Sequence, residues 1–148
     1  MEIVQAPVEV GMNTYKRVDG LGKITSGWLD PCIAVAFYQL SGNTCYFAHL
    51  QNVHDSVLTE VLTAVLQEFH NPKDTQIFVC GGHIWARDLE NQITHIEGRR
   101  NYVLQVLREN GFDLRQIKIQ WGKVNHISKL TIDTSDMRLE YIEKEQER

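Results

Sequence analysis

The sequence lacks the features that mark several large classes of protein. It has no excess of basic residues, since 15 Lys and Arg stand against 19 Asp and Glu and give a formal net charge of −4. Nucleic acids and anionic membrane surfaces attract a basic face, so we expect neither as a partner. No apolar run approaches the roughly 20 residues of a membrane-spanning helix, so we expect no insertion into a membrane.

Cysteine is scarce, and the first residues do not resemble a secretion signal. Three cysteines, Cys32, Cys45 and Cys80, are an odd number that fits a reducing compartment better than a disulfide framework. We therefore expect a cytoplasmic protein, with a secreted effector that acts in a host cytosol as the alternative. The cysteines and the scattered histidines show no zinc pattern, so we expect no metal and no cofactor.

What is present is the pattern of one domain, and its clearest element is a hairpin. A length of 148 residues suits a single domain, so we expect residues 1–148 to fold as one unit. Uncharged, β-branched and aromatic runs predict strands over 32–40 and 44–50. The turn residues at 41–43 predict that these two strands pair with each other.

Two helices and several further strands complete the predicted fold. Apolar residues at helical spacing predict a helix over 56–69 with Asp55 as its N-cap, and a second helix over about 98–110. The fold class that follows is α/β (α+β), a layered sandwich of two main helices on a mixed or mostly antiparallel sheet. The remaining strand predictions are 75–79, 114–121, 127–132 and 139–142, with a hairpin within 1–24.

Cys32 is the first candidate for chemistry because it begins a buried strand directly after a turn-like segment. A cysteine nucleophile needs a base, since only a few per cent of an ordinary thiol is ionised at neutral pH. If the two strands pair about their turn, His49 comes close to Cys32 at the far end of the hairpin. Read from the residues alone, Cys32 as a small apolar core residue remains the alternative.

Several other residues are candidates for supporting roles. A Cys/His pair needs a third group to orient the imidazole, and Thr25 and Ser26 lie just upstream of the cysteine. Trp28, four residues before Cys32, is the candidate wall of a substrate site. The pair Gly81-Gly82 favours a turn or a close backbone approach that lines the site, and no phosphate-binding loop motif follows it.

The remaining polar and thiol groups have simpler interpretations. Cys45 and Cys80 are interpreted as core residues. The pairs Arg87-Asp88 and Arg99-Arg100 are interpreted as charges exposed to solvent. The alternative hypothesis is that one of these two pairs docks an acidic protein surface.

Several ordered motifs resemble the CheD chemoreceptor glutamine deamidases. Cys-Ile-Ala-Val-Ala-Phe-Tyr from Cys32, followed by Phe-Ala-His-Leu around His49, looks like the core motif of that family, with the same Cys-to-His spacing. The resemblance covers roughly residues 20–142. It continues in three further segments: Val-Cys-Gly-Gly at 79–82, Ile-Glu-Gly-Arg-Arg-Asn at 96–101, and the strand-turn-strand pattern at 130–140.

The resemblance implies a cysteine-dependent amidohydrolase that deamidates a glutamine or asparagine side chain of a protein substrate. Cys32 would attack the carboxamide to form a thioester, and His49 would move the protons. The third member of the family's catalytic set is a threonine six residues before the cysteine. That position is Ser26 here, beside Thr25.

The sequence departs from the family pattern immediately before the cysteine, where Asp30-Pro31 replaces Gly-Ser. Pro31 has no N–H and cannot donate to an oxyanion, which leaves the N–H of Cys32. This departure supports an alternative hypothesis, a non-catalytic CheD-like domain that binds a partner protein. The Cys-to-His arrangement also resembles N-terminal asparagine amidohydrolases and deamidating toxins of the cytotoxic necrotizing factor type, which keeps an N-terminal asparagine open as the substrate.

Overall fold

The structure is a computed structural model that describes residues 6–20, 22–39, 41–51, 56–70 and 72–146. The described chain forms a mixed α+β fold of two helices and two sheets, which confirms the predicted fold class. In chain order the elements are β1 (Val8–Glu9), β2 (Thr14–Asp19), β3 (Lys23–Thr25), β4 (Ile33–Gln39), β5 (Thr44–Leu50), α1 (Val57–Glu68), a short 3-10 helix (Pro72–Asp74), β6 (Thr75–Gly81), α2 (Glu90–Glu109), β7 (Ile117–Trp121), β8 (His126–Asp133) and β9 (Arg138–Glu145).

The strands divide into two sheets. The larger one has the order β2-β5-β4-β6-β7, and its neighbours are antiparallel apart from the parallel pair β6 and β7. The smaller one has the order β1-β3-β8-β9, in which β1 and β3 run parallel. Neither described helix combines the length and the apolar character needed to cross a membrane.

The central strand explains why the sequence around Cys32 carries no charge. β4 lies between β5 and β6, and its residues from Ile33 to Tyr38 are all buried. Successive side chains of a strand point to opposite faces, so a strand covered on both faces is apolar throughout. Val35 and its alternate neighbours pack against the helices, whereas Ala34 and its alternate neighbours face the smaller sheet. The fold therefore has three layers, with the larger sheet in the middle.

The helix α1 follows from its apolar stripe. Its buried residues recur at helical spacing and cover one face of the larger sheet. Burial of each such side chain contributes about 1.5–3 kcal/mol. The N-cap position is Ser56, whose side chain makes no capping hydrogen bond. Asp55, the predicted cap, lies outside the described residues. The buried stripe is Val57, Leu58, Val61, Leu62 and Val65.

Two predictions about secondary structure are wrong. The second helix begins at Glu90 rather than near Gly98, because the Leu89 N–H donates to the Gln92 side chain at 2.8 Å and caps an earlier start. Gly98 has open space around it and lies in mid-helix, at a typical cost of about 1 kcal/mol relative to alanine. The N-terminal hairpin does not form, since β2 pairs with β5 while β3 pairs with β8 in the other sheet.

Candidate active site

The hairpin of β4 and β5 brings Cys32 and His49 to one face of the larger sheet. Ala34 pairs directly with His49, and Cys32 lies two residues before Ala34 in the same inter-sheet cluster. Residues directly opposite each other in an antiparallel pair share a face, so Cys32 is a diagonal neighbour of His49. We call the end of the hairpin that carries these two residues the open end, and the end at turn 41–43 the closed end.

His49 is oriented by a backbone carbonyl. Its side chain is buried, and Nδ1 lies 2.9 Å from the carbonyl oxygen of Val10. A carbonyl only accepts, so Nδ1 carries a proton, and the free lone pair of the neutral tautomer lies on Nε2. Nε2 is buried and has no hydrogen-bond partner among the described residues. The imidazole is therefore oriented at one nitrogen and available at the other.

Neither Ser26 nor Thr25 orients His49, contrary to the sequence-based prediction. The Ser26 hydroxyl donates to the Gly27 carbonyl at 2.7 Å and accepts from the Leu130 N–H at 3.1 Å. Both hydroxyls are engaged in holding β3 against β8, because Thr25 Oγ1 accepts from Thr131 Oγ1 at 3.1 Å. The carbonyl of Val10 has the orienting position. A backbone carbonyl is common to every residue, so no sequence signal marks it.

The pair Gly81-Gly82 makes a close backbone approach to Cys32. Gly81 has a φ of +95°, and a Cβ at this position would lie 2.3 Å from the carbonyl oxygen of Cys32. The Gly82 N–H donates to the same oxygen at 2.9 Å. Only glycine fits at Gly81, since any side chain would displace the backbone of the candidate nucleophile.

Trp28 is not the wall of the site. Its side chain is 43% exposed, and the ammonium groups of Lys129 and Lys144 lie 4.8 and 4.2 Å from its ring centroid. The next residue, Leu29, forms a bridge with Ser128 and is fully buried, so Trp28 is directed away from the interior. The prediction placed Trp28 by its distance from Cys32 along the chain, and it did not consider that neighbouring residues alternate between the interior and the surface.

A cleft of about 510 Å³ opens beside the segment that leads into Cys32. Trp85 is its aromatic wall, and two carboxylates hold it. Its Nε1 donates to Asp30 at 2.6 Å, and its backbone N–H donates to Asp88 at 2.8 Å. The lining residues are Asp30, Pro31, His83, Trp85, Asp88, Asn91, Gln92, His95, Ile96 and Arg99.

The two adjacent arginines of α2 are structural rather than solvated, which corrects the prediction. Arg99 is 7% exposed and donates from Nη2 to the Pro31 carbonyl at 2.9 Å and from Nη1 to the Gln51 carbonyl. Arg100 donates from Nε to the Gly82 carbonyl at 3.0 Å and lies over Trp121. A signal for Arg99 existed. The buried positions of α2 are 96, 99, 103 and 107, which is helical spacing once the helix is known to begin at Glu90.

The three thiols differ in their electrostatic surroundings. Burial raises the pKa of the Cys32 thiol, and the positive charge of Arg99 opposes that rise. Burial raises the pKa of Cys45 to about 12 and that of Cys80 further. All three thiols are therefore protonated at neutral pH. Cys32 differs in that a cation and a base lie beside it.

His83 forms a second buried histidine site. Its Nδ1 donates to the Lys123 carbonyl at 3.0 Å, and its Nε2 accepts from Ser128 Oγ at 2.7 Å. Burial lowers the pKa of His83, so the ring is neutral. Over the described ranges, no group of three or more His, Cys, Asp or Glu side chains is arranged to hold a metal ion.

Comparison with known proteins identifies a fold and no activity. No family model and no curated protein matches the chain. The crystal structure of the hypothetical protein YfiH from Bacillus licheniformis is similar, with a TM-score of 0.53 and 12% sequence identity. The alignment covers 72% of this chain and 49% of that chain, so this chain spans about half the length of the YfiH structure. The two proteins share the layered α+β fold.

Proposed function

We propose that this protein is a cysteine-dependent amidohydrolase that deamidates a glutamine or asparagine side chain of a protein substrate. The observation that carries the proposal is the open end of the hairpin. There Cys32 shares a sheet face with His49, whose Nε2 is buried and unpartnered. The resemblance of the surrounding motifs to the CheD deamidases supports the same chemistry.

In the first step, Cys32 attacks the carboxamide carbon of the substrate. Its thiol is protonated at rest, so His49 Nε2 takes the proton as the carbon–sulfur bond forms. The carbonyl π electrons move onto oxygen, and the Cys32 N–H donates to the resulting oxyanion. One such donor typically contributes about 3–4 kcal/mol. The Val10 carbonyl accepts from Nδ1–H throughout and stabilises the imidazolium.

In the second step, the tetrahedral species collapses. The oxyanion re-forms the carbonyl, the carbon–nitrogen bond breaks, and the His49 imidazolium protonates the nitrogen, which leaves as ammonia. Water then attacks the thioester while His49 takes its proton. The carbon–sulfur bond breaks, the His49 imidazolium returns its proton to the Cys32 sulfur, and the carboxylic acid product leaves and ionises by losing its proton to solvent. Amide becomes acid, with one water consumed and one ammonia produced.

The cleft, whose lining includes neither Cys32 nor His49, would hold the polypeptide next to the reacting side chain. Its volume of about 510 Å³ lies within the roughly 300–1,000 Å³ typical of ligand sites. Asn91 and Gln92 add amide donors and acceptors to its lining. A protein substrate would therefore contact the cleft through residues beside the reacting side chain. An N-terminal asparagine remains the alternative substrate of the same mechanism.

A second candidate function is a non-catalytic domain that binds a partner protein. Two observations favour it: Pro31 cannot donate to an oxyanion, and the Ser26 hydroxyl is engaged away from His49. In this reading Cys32 never reacts, and the cleft is a docking site.

The test compares the wild type with Cys32→Ala, and uses Cys45→Ala as the matched control. Each protein is incubated with a bacterial lysate and with a eukaryotic lysate. Mass spectrometry then counts Gln-to-Glu and Asn-to-Asp conversions. The eukaryotic lysate tests the role of a secreted effector, and the bacterial lysate tests a cytoplasmic role.

We expect specific conversions with the wild type and with Cys45→Ala, and none with Cys32→Ala. Equal conversion by the wild type and Cys32→Ala would refute the amidohydrolase. Recovery of the same bound protein by the wild type and Cys32→Ala, without conversion, would establish the binding module instead.

A further inference from the structure

Arg99 connects the two chain segments that carry the candidate dyad. Its Nη2 donates to the carbonyl of Pro31, the residue before Cys32. Its Nη1 donates to the carbonyl of Gln51, two residues after His49. One planar guanidinium therefore spans the open end of the hairpin, just beyond Ile33 and Leu50, the last described residue pair of β4 and β5.

The charge of Arg99 is buried, and no described residue supplies an anion to it. The side chain is 7% exposed, and across the described part of the chain no carboxylate lies within 4.0 Å of it. Its Nε–H is also buried and has no hydrogen-bond partner among the described residues. A buried charge without a counter-ion is costly in free energy. Two carbonyl groups offset only part of that cost, which leaves a positive site facing the cleft beside Cys32.

We propose that Arg99 is a positioning residue of the amidohydrolase site, whose guanidinium sets the spacing of Cys32 and His49 and whose charge stabilises the anion that develops at the Cys32 sulfur. This inference rests on the proposed function. Arg99 contacts backbone carbonyls rather than the reacting atoms, so it acts through Cys32 and His49.

The electrostatics of the site agree with this geometry. The positive charge of Arg99 lowers the pKa of Cys32 against the effect of burial. Other charged or titratable groups at this end are His49 from β5, Asp30 from the preceding loop, His83 after β6 and Arg100 from α2, and Asp88 and His95 also line the cleft. Among them, Arg99 is the cation that opposes the burial of the thiol.

Arg100 offers a matched control on the next position of the same helix. It too is hydrogen-bonded to a backbone carbonyl, that of Gly82, and it lies over Trp121. Replacement of Arg100 removes the same charge from the same turn of α2 and leaves the bridge between Pro31 and Gln51 intact.

The experiment measures the rate of alkylation of Cys32 by iodoacetamide as a function of pH, with the modified residue located by mass spectrometry. Arg99→Gln removes the charge and keeps an amide donor. In this variant we expect the midpoint of the pH profile of Cys32 alkylation to move up by about one pH unit, and the alkylation rate at pH 7 to fall about tenfold. One pH unit is the low end of the shift that an adjacent opposite charge typically causes. Arg100→Gln should keep the midpoint of the wild type.

Two outcomes would overturn the inference. One is an Arg99→Gln midpoint equal to that of the wild type, and the other is an equal shift in Arg100→Gln. If Arg99→Gln does not fold, Arg99→Lys against Arg100→Lys decides. A lysine keeps the charge but lacks the planar fork that reaches both carbonyls. We then expect alkylation to slow about threefold or more in Arg99→Lys only, and equal rates would contradict the proposal.

Alkylation requires no substrate, so the two proposals fail separately. If Arg99→Gln leaves the alkylation of Cys32 unchanged while the wild type deamidates its substrate, only the role of Arg99 is refuted. Absence of deamidation with an intact Arg99 effect refutes the amidohydrolase and leaves Arg99 as the residue that controls the Cys32 thiol.

Discussion

The two ends of one hairpin carry the same residue type in opposite surroundings. At the closed end, Cys45 is fully buried, and its thiol donates to the Tyr46 carbonyl at 3.6 Å. At the open end, Cys32 lies on the same sheet face with a base, His49, and a cation, Arg99, beside it. The composition does not distinguish the two cysteines, but their surroundings make Cys45 an inert core residue and Cys32 a candidate nucleophile.

The open end carries more of the buried polar atoms without hydrogen-bond partners than the closed end does. The structure describes four buried side-chain nitrogen or oxygen atoms without partners, and two of them, His49 Nε2 and Arg99 Nε, lie at the open end. Each such atom typically costs about 1–3 kcal/mol of stability. The closed end has one such atom, Thr75 Oγ1, on the residue that pairs with Gln39. The unpartnered atoms at the open end lower the stability of the fold, and they leave His49 Nε2 available to react.

The largest effect expected is from a side chain on Gly81. In Gly81→Ala, the new Cβ would lie 2.3 Å from the Cys32 carbonyl oxygen in a backbone with a φ of +95°. We expect the free energy of unfolding to fall by roughly 2–4 kcal/mol in urea denaturation. Gly42→Ala at the closed end is the control, since its nearest atoms lie 3.7 Å away. Equal losses in both variants would show that the close approach at Cys32 is unimportant.

The second effect is a difference in thiol reactivity. We expect iodoacetamide at pH 8 to modify Cys32 at least about tenfold faster than Cys45 or Cys80, because the latter two are fully buried with strongly raised pKa values. Peptide mapping by mass spectrometry measures the three rates. In urea the rates should become similar, which serves as the control. If Cys45 reacts as fast as Cys32 in the folded protein, the contrast between the two ends is wrong.

A smaller effect concerns the pH dependence of stability at the open end. Burial lowers the pKa of His83, so below about pH 6.5 the unfolded chain binds a proton that the folded chain resists. Stability should therefore fall as the pH falls, by at most about 1.4 kcal/mol per pH unit. His83→Gln should flatten this slope between pH 6.5 and 5, as measured by urea unfolding. The exposed His70, replaced by Gln, is the control. An unchanged slope in His83→Gln would contradict the assignment.

The smallest effect is at the closed end, where charge is exposed. Arg17 Nε donates to Glu68 at 2.6 Å, and the Tyr46 hydroxyl donates to the same carboxylate at 2.5 Å. Exposed pairs contribute about 0–1 kcal/mol, so Arg17→Met should cost no more than about 1 kcal/mol in thermal unfolding, and less in high salt. Alkylation of Cys32 should not change. A slower alkylation would mean that the two ends are coupled.

The parts of the fold that were predictable are those with a local pattern. The run after Cys32 and the run before Gln51 are uncharged and flank a turn, so the hairpin and its pairing could be predicted. The start of α2 could not, because residues 90–97 are mostly polar and their helix is capped by a backbone-to-side-chain bond between Leu89 and Gln92. With the helix start misplaced, the buried position of Arg99 was missed as well.

The candidate site divides in the same way. Sequence alone predicted which cysteine and which histidine share one face at one end of the hairpin, because strand pairing about a short turn is a local geometric consequence of residue order. Tertiary structure alone decided what surrounds these two residues. The carbonyl of Val10, just after β1, lies at Nδ1 of His49, Gly81 packs against the Cys32 carbonyl, and Arg99 spans the open end. These contacts join segments far apart in the chain, often through backbone groups that every residue shares. No residue type marks them in advance, so only the packing of the layers brings them to the thiol.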